Sequence, residues 1–202
     1  MNIKKLLLST IAVASAFMLY TSASAATTHK VVSGDSMWKI AVKYEVGLSE
    51  IINANPQISD PTLIYPGQII NIPTIPSSVI KFEGEVVRLI NEIRVNNGLK
   101  PLTEDWQLSR VARYKAQDMK DLGYFSHTSP TYGSPFEMMK SFGISYRTAG
   151  ENIAKGYPTP KAVVDAWMNS PGHRANILNS SYTHIGVGYV ASGNYWTQMF
   201  KG

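Results

Sequence analysis

The stretches that decide the fold are Ile185-Gly186-Val187-Gly188-Tyr189 and Tyr195-Trp196-Thr197-Gln198-Met199-Phe200, which stand on either side of Ser192-Gly193-Asn194. In the first stretch larger apolar residues alternate with glycine, and in the second Tyr, Thr and Met alternate with Trp, Gln and Phe. A period of two on both sides of a turn sequence predicts a β-hairpin. Because helical patterns precede this hairpin, the sequence predicts an α+β fold with helices packed on a sheet.

The helical patterns occupy the region before the hairpin. Two apolar stripes at helical spacing predict long amphipathic helices, one from Phe82 to Ile93 and one from Trp106 to Leu122. Further helices are expected where a serine or threonine precedes a proline, because an N-cap followed by proline at the first helical position begins a helix. These starts are Ser134-Pro135, Thr159-Pro160 and Ser170-Pro171.

A separate, smaller module precedes this region. Its apolar positions and turn residues predict the order β-α-α-β. The expected elements are a strand from His29 to Val32, a helix capped by Asp35 or Ser36, a second helix capped by Ser49 and ending near Asn55, and a strand from Gln68 to Ile72.

Two prolines and two serines interrupt every periodic pattern between Ile72 and Ile80, which predicts a linker over residues 74–80. The expected domains are therefore residues 26–73 and residues 81–202.

The first 25 residues have the pattern of a secretory signal peptide. Lys4 and Lys5 precede an apolar run from Leu6 to Met18, and Ala23-Ser24-Ala25 supplies small residues for cleavage. The run is shorter than the ~20 residues that cross a bilayer, and no later segment approaches that length. We therefore expect an exported protein without a transmembrane segment.

Composition narrows the class of protein. The 202 residues are 44% hydrophobic, which excludes a disordered or collagen-like chain. Loss of two lysines with residues 1–25 would lower the formal charge from +5 to +3. The basic residues are dispersed, which argues against nucleic-acid binding and suits an anionic cell wall. The absence of cysteine fits a bacterial secreted protein.

Residues 29–73 resemble a lysin motif (LysM) module, through Val32 to Ala41 (Val-Ser-Gly-Asp-Ser-Met-Trp-Lys-Ile-Ala), Ile52 to Pro56 (Ile-Asn-Ala-Asn-Pro) and Leu63 to Gln68 (Leu-Ile-Tyr-Pro-Gly-Gln). The resemblance implies that the module binds N-acetylglucosamine chains of peptidoglycan or chitin in a shallow groove. Trp38 is expected to pack inside the module rather than to stack on sugar. By resemblance, the groove is lined by Gly34, Asp35, Ser36, Met37, Pro56, Leu63 and Ile64.

Residues 82–202 resemble the CAP superfamily of cysteine-rich secretory proteins, antigen 5 and pathogenesis-related proteins, in a cysteine-free form. The resemblance implies an α-β-α sandwich with a central cavity that in some members holds a divalent metal between two histidines and two glutamates. Four stretches carry it: Phe125 to Pro130 (Phe-Ser-His-Thr-Ser-Pro), Gly150 to Ala154 (Gly-Glu-Asn-Ile-Ala), Trp167 to Leu178 (Trp-Met-Asn-Ser-Pro-Gly-His-Arg-Ala-Asn-Ile-Leu), and Ile185 to Tyr189 with Tyr195 to Gln198.

Three cavity positions of that family match this sequence: His127, Glu151 and His173. The place of the second glutamate falls on Ser170, which removes one anionic ligand. Two imidazoles and one carboxylate still predict a candidate zinc or magnesium site with an open position. The alternative is a hydrogen-bonded polar cluster in which Glu151 accepts from the two histidines.

Two further residues admit two interpretations. Glu137 is a candidate fourth carboxylate, but it stands three residues after Ser134, where it completes a capping box. Ser170 near His173 suggests a nucleophile and base, yet Ser170 also precedes Pro171 as an N-cap, and no Gly-x-Ser-x-Gly stretch occurs in the sequence.

Three functions follow from these patterns. The first is a non-catalytic wall-associated protein, anchored to peptidoglycan and meeting a wall or spore-coat protein through its second domain. Its pairing of modules looks like exported proteins of spore-forming Gram-positive bacteria, which extends the expected location to the spore envelope. The second is a metal-assisted hydrolase of wall peptide or glycan that uses His127, Glu151 and His173. The third, lipid or sterol carriage in a groove of the second domain, is implied only by the resemblance to the CAP superfamily, since no distinctive feature of this sequence points to it.

Overall fold

The computed structural model of the protein describes residues 27–202. The predicted signal peptide over residues 1–25 lies outside these residues. Within residues 27–202, no helix combines the length and the apolar character that crossing a membrane requires.

The N-terminal module (residues 27–73) has the β-α-α-β order that the sequence predicts. Strand β1 (Thr28–Lys30) pairs antiparallel with β2 (Ile69–Asn71), and helices α1 (Met37–Lys43) and α2 (Leu48–Asn53) lie between them along the chain. These elements enclose a small apolar core. Its buried members are Val31, Met37, Ile40, Ala41, Val46, Ile51, Ile70 and Ile72.

The two helices of this module begin differently from each other. The Ser36 hydroxyl accepts a hydrogen bond from the backbone N–H of Lys39 and caps α1, as predicted. The predicted cap at Ser49 is wrong, because Gly47 occupies the N-cap of α2. The Ser49 hydroxyl lies inside the first turn and donates to Glu50 instead.

Five residues, 72 to 76, join β2 to helix α3 (Ser77–Asn96). The helix therefore takes in residues 77–80, which the sequence places in the linker. Pro76 occupies the N-cap, where no intrahelical N–H bond is needed, so proline does not prevent the helix from starting at Ser77.

The C-terminal module (residues 77–202) is built on a four-stranded sheet. Its spatial order is β3 (Thr103–Glu104), β5 (His184–Val190), β6 (Tyr195–Lys201) and β4 (Ala149–Lys155). The β3–β5 pair is parallel and the others are antiparallel. The predicted hairpin is β5–β6, whereas β4 was not expected from the sequence.

Helices cover both faces of this sheet, which confirms the predicted α+β class and the α-β-α sandwich. Helix α3 packs on one face with α6 (Pro160–Asn169) and α7 (Pro171–Ile177), and α4 (Trp106–Asp121) packs on the other face with α5 (Pro135–Ser141).

The glycines of β5 allow α4 to lie directly on the sheet. Ile185, Val187 and Tyr189 are buried in the cluster that contains α3, so Gly186 and Gly188 face α4. A Cβ added at either glycine would overlap the α4 backbone at Leu108 or Ala112. The alternation of glycine with larger residues therefore reflects a strand with a helix backbone against one face.

Candidate functional site

The centre of the candidate site is the contact between His127 and Glu151. Nδ1 of His127 lies 2.7 Å from Oε1 of Glu151. The Glu151 side chain is 2% exposed, whereas the His127 side chain is 54% exposed. Burial raises the pKa of Glu151, and the hydrogen bond from His127 and the charge of Lys115 oppose that rise. The pair thus presents one imidazole to solvent, backed by a carboxyl group that water does not reach.

The loop that carries His127 is fixed from helix α4. The Asp118 carboxylate accepts hydrogen bonds from the hydroxyl groups of Ser129 at 2.7 Å, Thr131 at 2.6 Å and Tyr124. One carboxylate therefore ties three positions of the loop to the helix, and the loop in turn sets the position of the His127 ring.

Lys115 lies one helical turn before Asp118 and supports the same loop. It is 1% exposed. Its Nζ donates to the backbone carbonyl of His127 at 2.8 Å and to the Tyr124 hydroxyl at 3.2 Å. Burial lowers the pKa of Lys115, and the charges of Glu151 and Asp118 oppose this change. A second buried ionisable group thus stands behind the His127–Glu151 contact.

Lys115 was not among the predicted site residues, although its position in the apolar pattern of α4 is unusual for a lysine. Lys115 falls on the buried face of α4 with Ala112, Ala116 and Met119. A lysine is seldom fully buried unless its ammonium group has partners. A lysine inside an apolar stripe is therefore a marker for a buried polar site.

His173 reaches the site from the other face of β4. Successive residues of a strand point to opposite faces, so Glu151 faces α4 and Asn152 faces α7. The Asn152 side-chain amide donates to the His173 carbonyl at 3.2 Å, and the Asn176 amide donates to the Glu151 carbonyl at 3.1 Å. Burial, and then the charge of His127, lower the pKa of His173. The structure thus joins His127 to Glu151 and leaves His173 beside them.

The three predicted metal ligands do not form a closed set. Nδ1 of His127 is engaged by Glu151, and His173 stands on a helix across the edge strand. Among residues 27–202, no group of three or more His, Asp or Glu side chains is placed to hold a metal ion. The residues therefore do not fit a resident zinc or magnesium ion in this arrangement, and the predicted metal site has no support from the geometry.

A cleft of about 270 Å³ opens beside His173. Phe125, 51% exposed, and Tyr157, 38% exposed, are among its lining residues, together with the buried Trp167. Ser170 and His173 contribute a hydroxyl and an imidazole to the same wall. Lys155 adds an ammonium group. This lining of aromatic rings and polar groups suits the binding of a ligand with both apolar and hydrogen-bonding parts.

The structure decides between the two interpretations of Glu137. Its carboxylate accepts from the Ser134 backbone N–H at 2.7 Å, and its own N–H donates to the Ser134 hydroxyl at 3.2 Å. These bonds form the predicted capping box of α5, so Glu137 is used at a helix end.

Ser170 occupies the N-cap position of α7, in agreement with the predicted helix start, although its side chain makes no capping bond. Within the described part of the chain, Ser170 and His173 share no hydrogen bond, so the geometry gives no activated serine.

The predicted glycan groove of the N-terminal module is only partly open. Gly34, Pro56 and Leu63 are exposed, and Leu63 presents 53% of its surface to solvent. Met37 is 3% exposed and belongs to the core, and Ile64 packs half-buried against that core. The glycan-binding assignment stays a prediction, and Gly34, Pro56 and Leu63 are the residues most available for it.

Asp35 and Ser36 have structural partners at the edge of this groove. The Asp35 carboxylate accepts from the Val32 backbone N–H at 2.9 Å and lies 2.8 Å from Nε2 of His29, while Ser36 caps α1. The buried His29 therefore has a structural role.

The expectation that Trp38 packs inside the module is wrong, because its surface is 62% exposed. Helix α1 buries Met37, Ile40 and Ala41, and Trp38 lies about 100° around the helix from Met37. An exposed indole beside the predicted groove is available to stack on a ligand.

Comparison with known proteins identifies two families in this chain. Residues 29–73 match the LysM domain, and residues 87–200 match the cysteine-rich secretory protein family, CAP.

The relatives match only part of this chain. The chain is 68% identical over 127 residues to the uncharacterized protein YkwD of Bacillus subtilis, which covers 63% of this chain and 49% of YkwD. It is 44% identical over 59 residues to the probable autolysin SsaALP of Staphylococcus aureus, which covers 29% of this chain and 22% of that protein. The chain therefore spans half or less of the length of these relatives.

A solved structure supports the fold. The crystal structure of an extracellular protein containing a SCP domain from Bacillus anthracis matches with a TM-score of 0.60 and 35% identity, over 67% of this chain and 47% of that chain.

Proposed function

The chain belongs to the cysteine-rich secretory protein (CAP) family and carries a LysM domain before its CAP domain, and from this we propose that it is an extracellular, cell-wall-associated protein. In this proposal the N-terminal module binds the N-acetylglucosamine chains of peptidoglycan. The C-terminal module acts at the wall as a non-catalytic interaction module. A relative of the N-terminal part that is named a probable autolysin supports a place at the wall.

The observation that carries the proposal is the exposure of three residues of the predicted groove of the N-terminal module. Gly34, Pro56 and Leu63 are exposed while the C-terminal module is in place. The residues of this module that line the clefts next to the C-terminal module, around Tyr44 to Glu50 and Ile72 to Pro73, do not include these three. A glycan chain can therefore reach the groove without displacing the C-terminal module.

The non-catalytic part of the proposal rests on how the polar groups of the C-terminal module are used. Glu151 is buried against His127, Glu137 caps a helix, and Ser170 lacks a bond to His173. Beside a base such as the His127 imidazole, a hydrolase would need an activated nucleophile or a metal-bound water in contact with substrate. The exposed His127 ring and the cleft beside His173 instead form a surface that a wall protein or small ligand can contact.

Co-sedimentation with purified peptidoglycan tests the anchor. The protein without residues 1–25 is expected to bind, and Leu63→Asp is expected to lower its affinity about tenfold, equivalent to about 1.4 kcal/mol. Val95→Asp is the matched control, since Val95 is equally exposed, at 56%, but lies on α3. Failure of the wild type to sediment, or equal binding by Leu63→Asp, would contradict the proposal.

Clearing of a wall suspension tests the non-catalytic assignment. We expect none from the pure protein. Clearing that disappears in both His127→Ala and Glu151→Ala variants would replace the proposal with the hydrolase alternative.

We extend the proposed location to the spore envelope and the proposed partners to spore-coat proteins. Fractionation of sporulating cells with an antibody against the C-terminal module tests this extension. Absence of the protein from purified spores would restrict the proposal to the vegetative wall.

A further inference from the structure

Two charged side chains join the N-terminal and C-terminal modules. Glu50 lies on α2 and Arg110 lies on α4, 60 residues apart in sequence. Nε of Arg110 donates to Oε1 of Glu50 at 2.5 Å, and an Nη2 proton is donated to Oε2 at 2.8 Å. The Glu50 side chain is 24% exposed and the Arg110 side chain is 19% exposed. This two-point contact fixes both distance and orientation between the groups.

The surroundings hold the pair in place from both modules. The Arg110 guanidinium lies 5.0 Å from the centre of the Phe142 ring and 5.5 Å from that of the Tyr114 ring. From the other module, the Ser49 hydroxyl donates to Oε2 of Glu50 at 2.7 Å. Burial acts to raise the pKa of Glu50, but the hydrogen bonds from Arg110 and Ser49 hold it below its ordinary value.

Gly47 lies against the same pair. A Cβ at this position would overlap both the Glu50 carboxylate and the Arg110 guanidinium. The backbone of the N-terminal module therefore approaches the ion pair closely, and a larger residue at position 47 would require the Glu50 and Arg110 side chains to shift.

The apolar cores of the two modules do not merge. Within residues 27–202, the buried cluster of the N-terminal module contains no residue of the C-terminal module. Clefts of about 130 Å³ and 310 Å³, each lined from both modules, lie along the junction. The orientation of the modules is therefore controlled by the ion pair and the linker rather than by a shared core.

The linker supports such a contact because it is short and stiff. It spans residues 72–76, Ile72 is anchored in the N-terminal core, and Pro73 and Pro76 have restricted backbone angles. A short tether keeps the two charged groups at high effective concentration.

We propose that the surface of the C-terminal module around Arg110 is a docking surface for the N-terminal module, and that the Glu50–Arg110 ion pair holds the two modules in one fixed orientation. The predicted glycan groove and the cleft beside His173 then move as one body. A protein bound through the groove presents the cleft in one direction. The docking itself does not depend on glycan binding.

Nuclear magnetic resonance relaxation of the protein without residues 1–25 tests the proposal. Backbone amides of both modules are expected to report one rotational correlation time in the wild type. Glu50→Gln and Arg110→Gln are each expected to abolish that common value, with the smaller N-terminal module tumbling faster. The double exchange Glu50→Arg with Arg110→Glu is expected to restore it. Arg88→Gln is the control, because Arg88 is 58% exposed and its ion pairs lie within α3.

Two outcomes would overturn the proposal: a wild type whose modules already tumble separately, or single variants that keep the common correlation time. The positions of the amide resonances show in each case that both modules remain folded. Peptidoglycan co-sedimentation by the single variants is expected to stay at the wild-type level, which separates a failure of docking from a failure of glycan binding.

Discussion

Replacement of Gly188 by alanine is expected to destabilise the C-terminal module strongly. An added Cβ would lie 2.5 Å from the Ala112 carbonyl oxygen and closer still to the next backbone atoms of α4. Ordinary carbon–oxygen contacts are about 3.3 Å or longer, so helix and strand must separate by roughly 0.8 Å or more. Backbone atoms in the middle of a helix cannot rotate away as a side chain can. Overpacking of this kind costs about 1–3 kcal/mol, and we expect the upper end.

The same substitution at Gly84 provides the matched control. Gly84 lies inside α3, and a Cβ there would meet no atom within 4 Å. Alanine is favoured over glycine in a helix interior by about 1 kcal/mol, so Gly84→Ala should stabilise the protein by that amount. The same glycine-to-alanine change is thus expected to lower the free energy of unfolding at position 188 and to raise it at position 84.

Urea denaturation followed by tryptophan fluorescence measures both changes, because Trp167 and Trp196 are buried in the C-terminal module. The midpoint should fall for Gly188→Ala and rise for Gly84→Ala, with similar slopes. A Gly188→Ala protein within 0.5 kcal/mol of the wild type, a margin ordinary for surface substitutions, would refute the close approach of α4 to β5.

Three more predictions concern the candidate site. The folded-state pKa of His173 lies below 6.5, so the unfolded chain binds more protons than the folded chain near that pH. The free energy of unfolding should therefore fall as the pH drops through and below 6.5. Urea titrations on both sides of that pH should show a smaller fall for His173→Gln than for the wild type. Asp118→Asn weakens charged hydrogen bonds that are each worth about 1.5–3 kcal/mol, so amide exchange over residues 124–133 should accelerate roughly tenfold or more, and unchanged exchange would contradict the role of Asp118. Zinc titration should give the same weak binding for the wild type and a His127→Ala, His173→Ala double variant. Binding of one equivalent of zinc by the wild type but not by the variant would instead support the predicted metal site.

Local elements were predictable where their signals lie within a few residues. The capping box of Ser134 and Glu137 spans a single turn, and the β5–β6 hairpin has its alternation and its turn in one short segment. Strand β4 was missed because Gly150 to Ala154 are all buried, so no alternation of apolar and polar residues marks them. Both faces of this strand are covered by helices, and burial of Glu151 and Asn152 depends on those helices.

The candidate site was likewise predictable from the sequence only in part. His127, Glu151 and His173 were named from their motifs, but the sequence could not predict that only His127 forms a hydrogen bond with Glu151 while His173 lies beside them on another helix. The support from Lys115 and Asp118 arises because α4 packs under the loop that carries His127.

The sequence by itself determined the two modules, their family resemblance and most of their helices, because these depend on periodicity, caps and motifs within short segments. Only the tertiary structure decided the burial of Glu151, the exposure of Trp38 and the Glu50–Arg110 contact. Each of these features depends on which segments that are distant in sequence come into contact. Local sequence patterns carry no information about such contacts.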